Sequence, residues 1–438
     1  MTNLQQLANA EILTANWDQI RLHMGEVSPA LTAEFSALGA KLQDPVSLEE
    51  LPKIIDDLLR LIRNTPAGQY VRQLIARAGI GDSATIRAAG PDSLAAVSVD
   101  AGPLMELTDT AKNLGSVLTS SKDLLGIKRI PIFYATNRTW NAATFTGDPA
   151  GALSYGYCWV TIPTEHATGR IEKRPWWNCL SDPGNTEKYF TCAVIKLAKP
   201  AFLSNLEKAC QSSESRQILI LVHGFNVSFE EAAMRAAQFT EDTQFPGLIL
   251  LYSWPSQGSW YGYTADEARA AASGERMAEC LNDLVGGPWT QLSLLAHSMG
   301  NRVMLSALAD NDRPELPFGQ LVMAAADVYV EEFKPKFDKL QQHGLLPCTS
   351  YSSRKDLALK LSSLVHSGPR IGLIDDFHFE GGDNESIDAT AVDRGLLAHG
   401  YWSGDRALIT DIRTLILDGS RAKKRGLKQS GVYWRFPN

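Results

Sequence analysis

Two regimes of hydrophobic patterning divide the chain near residue 127. Before it, apolar residues recur every three or four positions. In SLEELPKIIDDLLRLIRN, residues Leu51, Ile54, Ile55, Leu58, Leu59 and Ile62 fall on one helical face, and Ser47 with Glu50 has capping-box spacing. Asp44-Pro45 and Thr65-Pro66 punctuate the two ends of that helix. Further helices are predicted around 5–23, 28–42 and 68–79, and residues 80–127 read as mixed linker, loop or short helix.

From Ile130 the pattern becomes β-rich, first IPIFYATNR (130–138), then LSYGYCWVTIP (153–163) and KYFTCAVIKLA (188–198). Near-continuous apolar strands then alternate with amphipathic helices. QILILVHGF precedes FEEAAMRAAQFTED, GLILLYSWPS precedes TADEARAAASGERMAECLNDLV, and QLSLLAHSMG runs into NRVMLSALAD. GQLVMAAADV, CTSYSSRKD and SIDATAV complete the series. Strands apolar on both faces and separated by helices predict a mostly parallel sheet covered on both sides. The expected organisation is a helical accessory domain over 1–125, an α/β domain over 126–420 and a basic C-terminal tail over 421–438.

The most informative junction is Ala296-His297-Ser298-Met299-Gly300, where an apolar strand meets a helix. It is a nucleophile elbow, small-x-Ser-x-small, with alanine in place of the first glycine of G-x-S-x-G. A hydroxyl needs a base to take its proton as it attacks. His297 adjoins Ser298, but a sharp elbow points its side chain away. His343, His366, His378 and His399 follow in the chain, and His399, after the last strand and before a helix, fits the order serine, acid, histidine best, with His378 in reserve. For the orienting acid, Asp356 closes CTSYSSRKD; Asp327, one strand earlier, competes, while Asp376 and Asp388 read as surface or turn residues. Two backbone N–H groups would serve an oxyanion, those of Met299 and of Phe225 in His223-Gly224-Phe225-Asn226.

LVHGFNVSFEEA, LLYSWPSQG, LLAHSMGNR and AHGYW together resemble the α/β-hydrolase superfamily, and more narrowly a bacterial subgroup of poorly characterised, esterase-like serine hydrolases. That subgroup also carries an FYATNR-type strand, a YGxxxVxIP strand and a late YSSRKDLAL segment, so the resemblance spans roughly 129–418. It implies an α/β-hydrolase fold and the triad roles for Ser298, Asp356 and His399. The implied activity is cleavage of a small-molecule carboxylic ester through an acyl-enzyme, as in carboxylesterases and lipases, with no metal or organic cofactor. Two rival readings are another acyl hydrolase (thioesterase, amidase or peptidase) and a non-catalytic scaffold acting through its N-terminal helices. Nothing nameable resembles residues 1–125, which read as a lid, a surface for self-association or a docking site for a protein partner.

Trp254, Trp260, Tyr261 and Tyr263 flank a strand end where substrate would enter; they either line a pocket or cap the core beneath a loop. Trp176-Trp177 reads as a cover or an ordinary apolar patch, Arg370 as a loop brace and Asp266 as an N-terminal helix anion.

Composition adjusts this picture only at its margins. A chain of 438 residues, 44% hydrophobic and 21% charged, builds two or three globular domains. The net charge of −7 is uneven: residues 1–110 hold 14 acids and 8 bases, whereas 420–438 hold 6 bases and no acid. An acidic total with a short basic run argues against nucleic acid, and KKRGLK reads as a frayed, solvated tail. The six scattered cysteines show neither CxxC nor zinc spacing and read as buried free thiols. With no apolar run of membrane-spanning length and no signal-like start, a soluble cytoplasmic protein is expected.

Overall fold

The apolar runs after residue 127 become strands because their side chains are buried on both faces, as in β5 (Gln217–Val222), β6 (Leu248–Ser253) and β7 (Gln291–His297). The structure, a computed structural model, describes residues 121–122, 128–141, 144–172, 189–257, 263–310, 315–342, 347–356, 358–360, 368–379, 383–393 and 404–437. The helices expected before residue 80 lie outside that set.

The remaining strands are β1 (Ser121–Lys122), β2 (Lys128–Trp140), β3 (Phe145–Ile162), β4 (Thr191–Leu197), β8 (Phe318–Ala324), β9 (Cys348–Ser352), β10 (Glu385–Asp388), β11 (Lys428–Ser430) and β12 (Tyr433–Arg435). The helices among the described residues are α1 (Lys199–Ser212), α2 (Phe229–Thr243), α3 (Tyr263–Asp283), α4 (Gly300–Ala309), α5 (Val330–Gln342) and α6 (Arg406–Asp418). One sheet runs β11-β12-β10-β9-β8-β7-β5-β6-β2-β3-β4, with β1 paired to β2. From β2 to β10 along that order every neighbouring pair is parallel, while β3 and β4 extend the sheet antiparallel. The parallel strands therefore deliver all their following loops to one end of the sheet, which is where an α/β sheet binds ligands.

Helix α2 shows why the crossovers form where they do. Ser228 caps it and accepts from the Glu231 N–H, while the Glu231 carboxylate accepts from the Ser228 N–H. Its Ala232, Ala233, Ala236 and Ala237 are fully buried, so the helix lies close against the sheet. Helix α1 is not announced by the apolar runs; it begins at Lys199-Pro200 and buries Phe202, Leu206, Ala209 and Cys210 on one face.

Residues 421–438 are a correction to the expected tail. They supply β11 and β12, and β12 pairs parallel to β10. Of their basic side chains, Arg425 is nearly fully buried and bridges Asp411 at 2.8 Å and Glu385 at 3.3 Å, while Lys423, Lys424, Lys428 and Arg435 are exposed. Five cysteines, Cys158, Cys192, Cys210, Cys280 and Cys348, are free, all buried except half-buried Cys192. Among the described residues no helix is long and apolar enough to cross a membrane.

At the opposite end of the sheet, the loop after β3 is clipped to α2. The His166 ring lies 2.9 Å from the Glu172 carboxylate and 3.1 Å from that of Asp242, which also accepts from the Gly169 N–H at 2.8 Å. Burial opposes charging of His166, but the hydrogen bonds from Asp242 and Glu172 outweigh it and raise its pKa. A raised folded-state value means that the clip's electrostatic stabilisation is complete below the ordinary histidine pKa, roughly 6.5. It fades as pH rises through the folded value. Urea unfolding of wild type and His166→Gln between pH 5.5 and 8.5 should show a stability gap that narrows with rising pH. A gap independent of pH would exclude a charged His166.

Candidate active site

Ser298 sits between the end of β7 and the first turn of α4 with φ of +52°, a left-handed conformation costly for any residue with a side chain. The surroundings over-determine it. Its N–H donates to the Ala324 carbonyl at 2.9 Å. The Ser298 carbonyl in turn accepts from the Asn301 N–H at 3.1 Å, the Asn301 side-chain amide at 2.9 Å and the Asp327 N–H at 3.2 Å. Strain held this firmly is a mark of functional elbows. Gly300 is required by its neighbours: a methyl group there would come within 2.4 Å of the His223 carbonyl oxygen. Ala296, by contrast, is buried in register with Val222 and Met323, so its methyl group fits.

The loop after β5 packs directly on this elbow. A side chain at Gly224 would meet the His297 ring at 2.6 Å and the Ser298 Cβ at 2.9 Å. Both backbone groups singled out for an oxyanion, those of Phe225 and Met299, thus belong to segments that flank Ser298. Met299 is buried and caps α4, and Phe225 is half-buried.

His223 anchors the loop. Its Nε2 lies 3.2 Å from Arg138 Nη2 and 3.1 Å from Ser253 Oγ, and its Nδ1 lies 2.8 Å from the Gly224 carbonyl oxygen. A guanidinium offers donors only, so Nε2 must accept and the proton sits on Nδ1, donating to Gly224. Burial, assisted by the Arg138 charge, pushes the His223 pKa down to about 3, which keeps the ring neutral.

Asp356 follows β9, two strands along from β7, and is fully buried. One carboxylate oxygen accepts from the Leu359 N–H at 2.9 Å. The segment before it is tied to the loop after β10: Ser353 Oγ donates to Asp393 at 2.5 Å, and the Arg354 N–H donates to Thr390 Oγ1 at 3.0 Å. The chain leading from β10 toward residue 399 therefore starts beside the Asp356 loop. His399 itself lies outside the described residues, as do Trp260, Tyr261, Trp176, Trp177, His343 and His366.

The competing acid has another partner. Asp327 faces Arg370 at 3.3 Å; Arg370 is fully buried and stacks on the Tyr329 ring at 3.6 Å. Asp388 is engaged by Arg354 and Thr390, and Asp376 accepts from the Arg370 N–H at 2.9 Å. His378 lies beside Tyr433, with ring centroids 6.5 Å apart. Of the two roles open to Trp254, the structure shows burial: it is fully enclosed, stacks on His223 with centroids 5.3 Å apart, and donates Nε1–H to the His223 carbonyl at 2.7 Å. Asp266 is a buried anion in the first turn of α3, accepting from Ser256 Oγ at 2.8 Å and from the Gln257 N–H at 3.1 Å. Among the described residues no three His, Cys, Asp or Glu side chains gather where they could hold a metal.

Sequence reading passed over Arg138, Ser253 and Asn301. Their one local signal is polarity at the end of an apolar run, as in Thr136-Asn137-Arg138, all three buried.

Residues 198–409 match the model of a protein family described as alpha/beta hydrolase of unknown function, DUF900. Comparison with curated proteins gives no match.

Proposed function

The chain is a member of the α/β-hydrolase superfamily, and from that premise we propose that it is a serine hydrolase acting on small carboxylic esters. Ser298 attacks the ester carbonyl, and His399 takes the hydroxyl proton and returns it to the leaving alcohol. Asp356 orients the imidazole. The Phe225 and Met299 N–H groups receive the charge that develops on the carbonyl oxygen. Water activated by His399 then releases the acid and restores Ser298.

The observation that carries this reading is the strained, over-determined Ser298 with the Gly224 loop packed against its Cβ. A serine at this position also argues against epoxide hydrolysis and dehalogenation, which use a carboxylate nucleophile on this fold.

A fluorophosphonate probe should label the full-length protein at Ser298, located by peptide mass spectrometry. A series of p-nitrophenyl esters of rising chain length, run beside thioester and anilide analogues, should then favour the oxygen esters in kcat/KM. Faster turnover of the anilides or thioesters would move the assignment to an amidase or thioesterase. Absence of both label and turnover would favour a scaffold.

A further inference from the structure

Arg138, at the C-terminal end of β2, is about 1% exposed and makes no ion pair with a carboxylate among the described residues. A buried guanidinium in that state is costly, and burial pulls its pKa down to about 9. Its hydrogen bonds are spent on one task. Nη2 donates to the Val227 carbonyl at 2.7 Å and to His223 Nε2 at 3.2 Å. Nε donates to Ser253 Oγ at 2.9 Å, and Nη1 to the Ser256 and Thr146 carbonyls at 3.1 and 3.2 Å. One side chain thereby joins the loops after β5 and β6 and pins both ends of the segment 223–227.

We propose that Arg138 is a positioning residue for the oxyanion site, acting through Ser253 and His223 on the peptide unit between Gly224 and Phe225. The inference rests on the esterase reading above. Arg138 can only donate, and Ser253 Oγ, accepting from Arg138 Nε, is left to donate its own hydrogen to His223. Both partners force Nε2 to accept, so Nδ1–H points at the Gly224 carbonyl. That peptide bond is trans, because no cis bond occurs among the described residues, so its N–H, belonging to Phe225, points the opposite way. Fixing the carbonyl therefore fixes the donor. A hydrogen bond accepted by the carbonyl also polarises the peptide, strengthening its N–H as a donor. Trp254 stacks on one face of the His223 ring and donates Nε1–H to the His223 backbone carbonyl.

The test compares Arg138→Gln, Arg138→Lys and Ser253→Ala with wild type, counting active sites by fluorophosphonate titration and checking folding by thermal melting. Kinetics use the best p-nitrophenyl ester; affinity uses a trifluoromethyl ketone that mimics the tetrahedral adduct. Loss of one oxyanion donor typically lowers kcat by about 10²–10³-fold. Arg138→Gln is expected to lower kcat per titrated site by about 10²-fold with KM nearly unchanged, and to weaken ketone binding by the same factor. Arg138→Lys should recover part of the loss, and Ser253→Ala should lose several-fold. A purely structural role predicts fewer titratable sites that each turn over at the wild-type kcat, and that result overturns the proposal. If Arg138→Gln does not fold, unchanged kcat per site in both Arg138→Lys and Ser253→Ala overturns it equally. Wild type that neither labels nor turns over would sink the esterase reading itself, a result distinct from labelled wild type with indifferent variants.

Discussion

Ser298→Ala should abolish fluorophosphonate labelling and lower ester kcat/KM by at least about 10⁴-fold, the scale on which loss of an activated nucleophile is felt. The fold should barely respond, because alanine occupies the same left-handed backbone that serine does. Ser298→Gly separates strain from chemistry. It is equally inactive, but glycine carries no Cβ penalty at φ of +52°, so it should be more stable than the alanine variant by about 1 kcal/mol. Urea unfolding of the two variants makes the comparison directly. Turnover by Ser298→Ala close to the wild-type rate would remove Ser298 as the nucleophile, and equal stability of the two variants would mean that the elbow stores no strain.

The second large effect decides between two carboxylates. Asp356→Asn should reduce kcat by about 10⁴-fold with little change in KM, because an amide no longer selects the imidazole tautomer that accepts the serine proton. Asp327→Asn should act elsewhere. It removes the carboxylate facing buried Arg370, and breaking a buried ion pair from one side costs about 3–5 kcal/mol of stability. Each folded molecule should nonetheless turn over at close to the wild-type rate. Activity per titrated site, measured alongside thermal melts, separates the two. The reverse pattern would put the orienting acid after β8 rather than after β9.

How far these roles can be read from sequence depends on how local the determinants are. The elbow was legible because strand, strained serine and helix all lie within Leu292–Leu308, where periodicity changes from unbroken burial to helical spacing. The nine runs from Ile130 onward all became strands, and β5 to β9 are buried along nearly their whole length. Asp356 could be ranked above Asp327 by topology, but sequence gave no hint that Arg370 faces the latter. The Arg138 cluster was illegible because its members at 138, 223, 227, 253 and 256 meet only once β2, β5 and β6 lie side by side. The C-terminal hairpin escaped notice because its strands have three residues each and lie among exposed lysines that read as a solvated run. Trp254 illustrates an ambiguity of residue type: the same indole suits a pocket wall or a core, and only the His223 stack distinguishes them.

The hairpin also bears on how the molecule behaves at high concentration. An uncovered β10 would offer its unpaired amides and carbonyls to the sheet of another molecule, the usual route to edge-to-edge aggregation. Strand β12 occupies that edge, and the rim it leaves is β11, only three residues long and opening on the exposed Lys428. So short and charged a rim is a poor template for further strand addition, and sheet growth from one molecule to the next stops there.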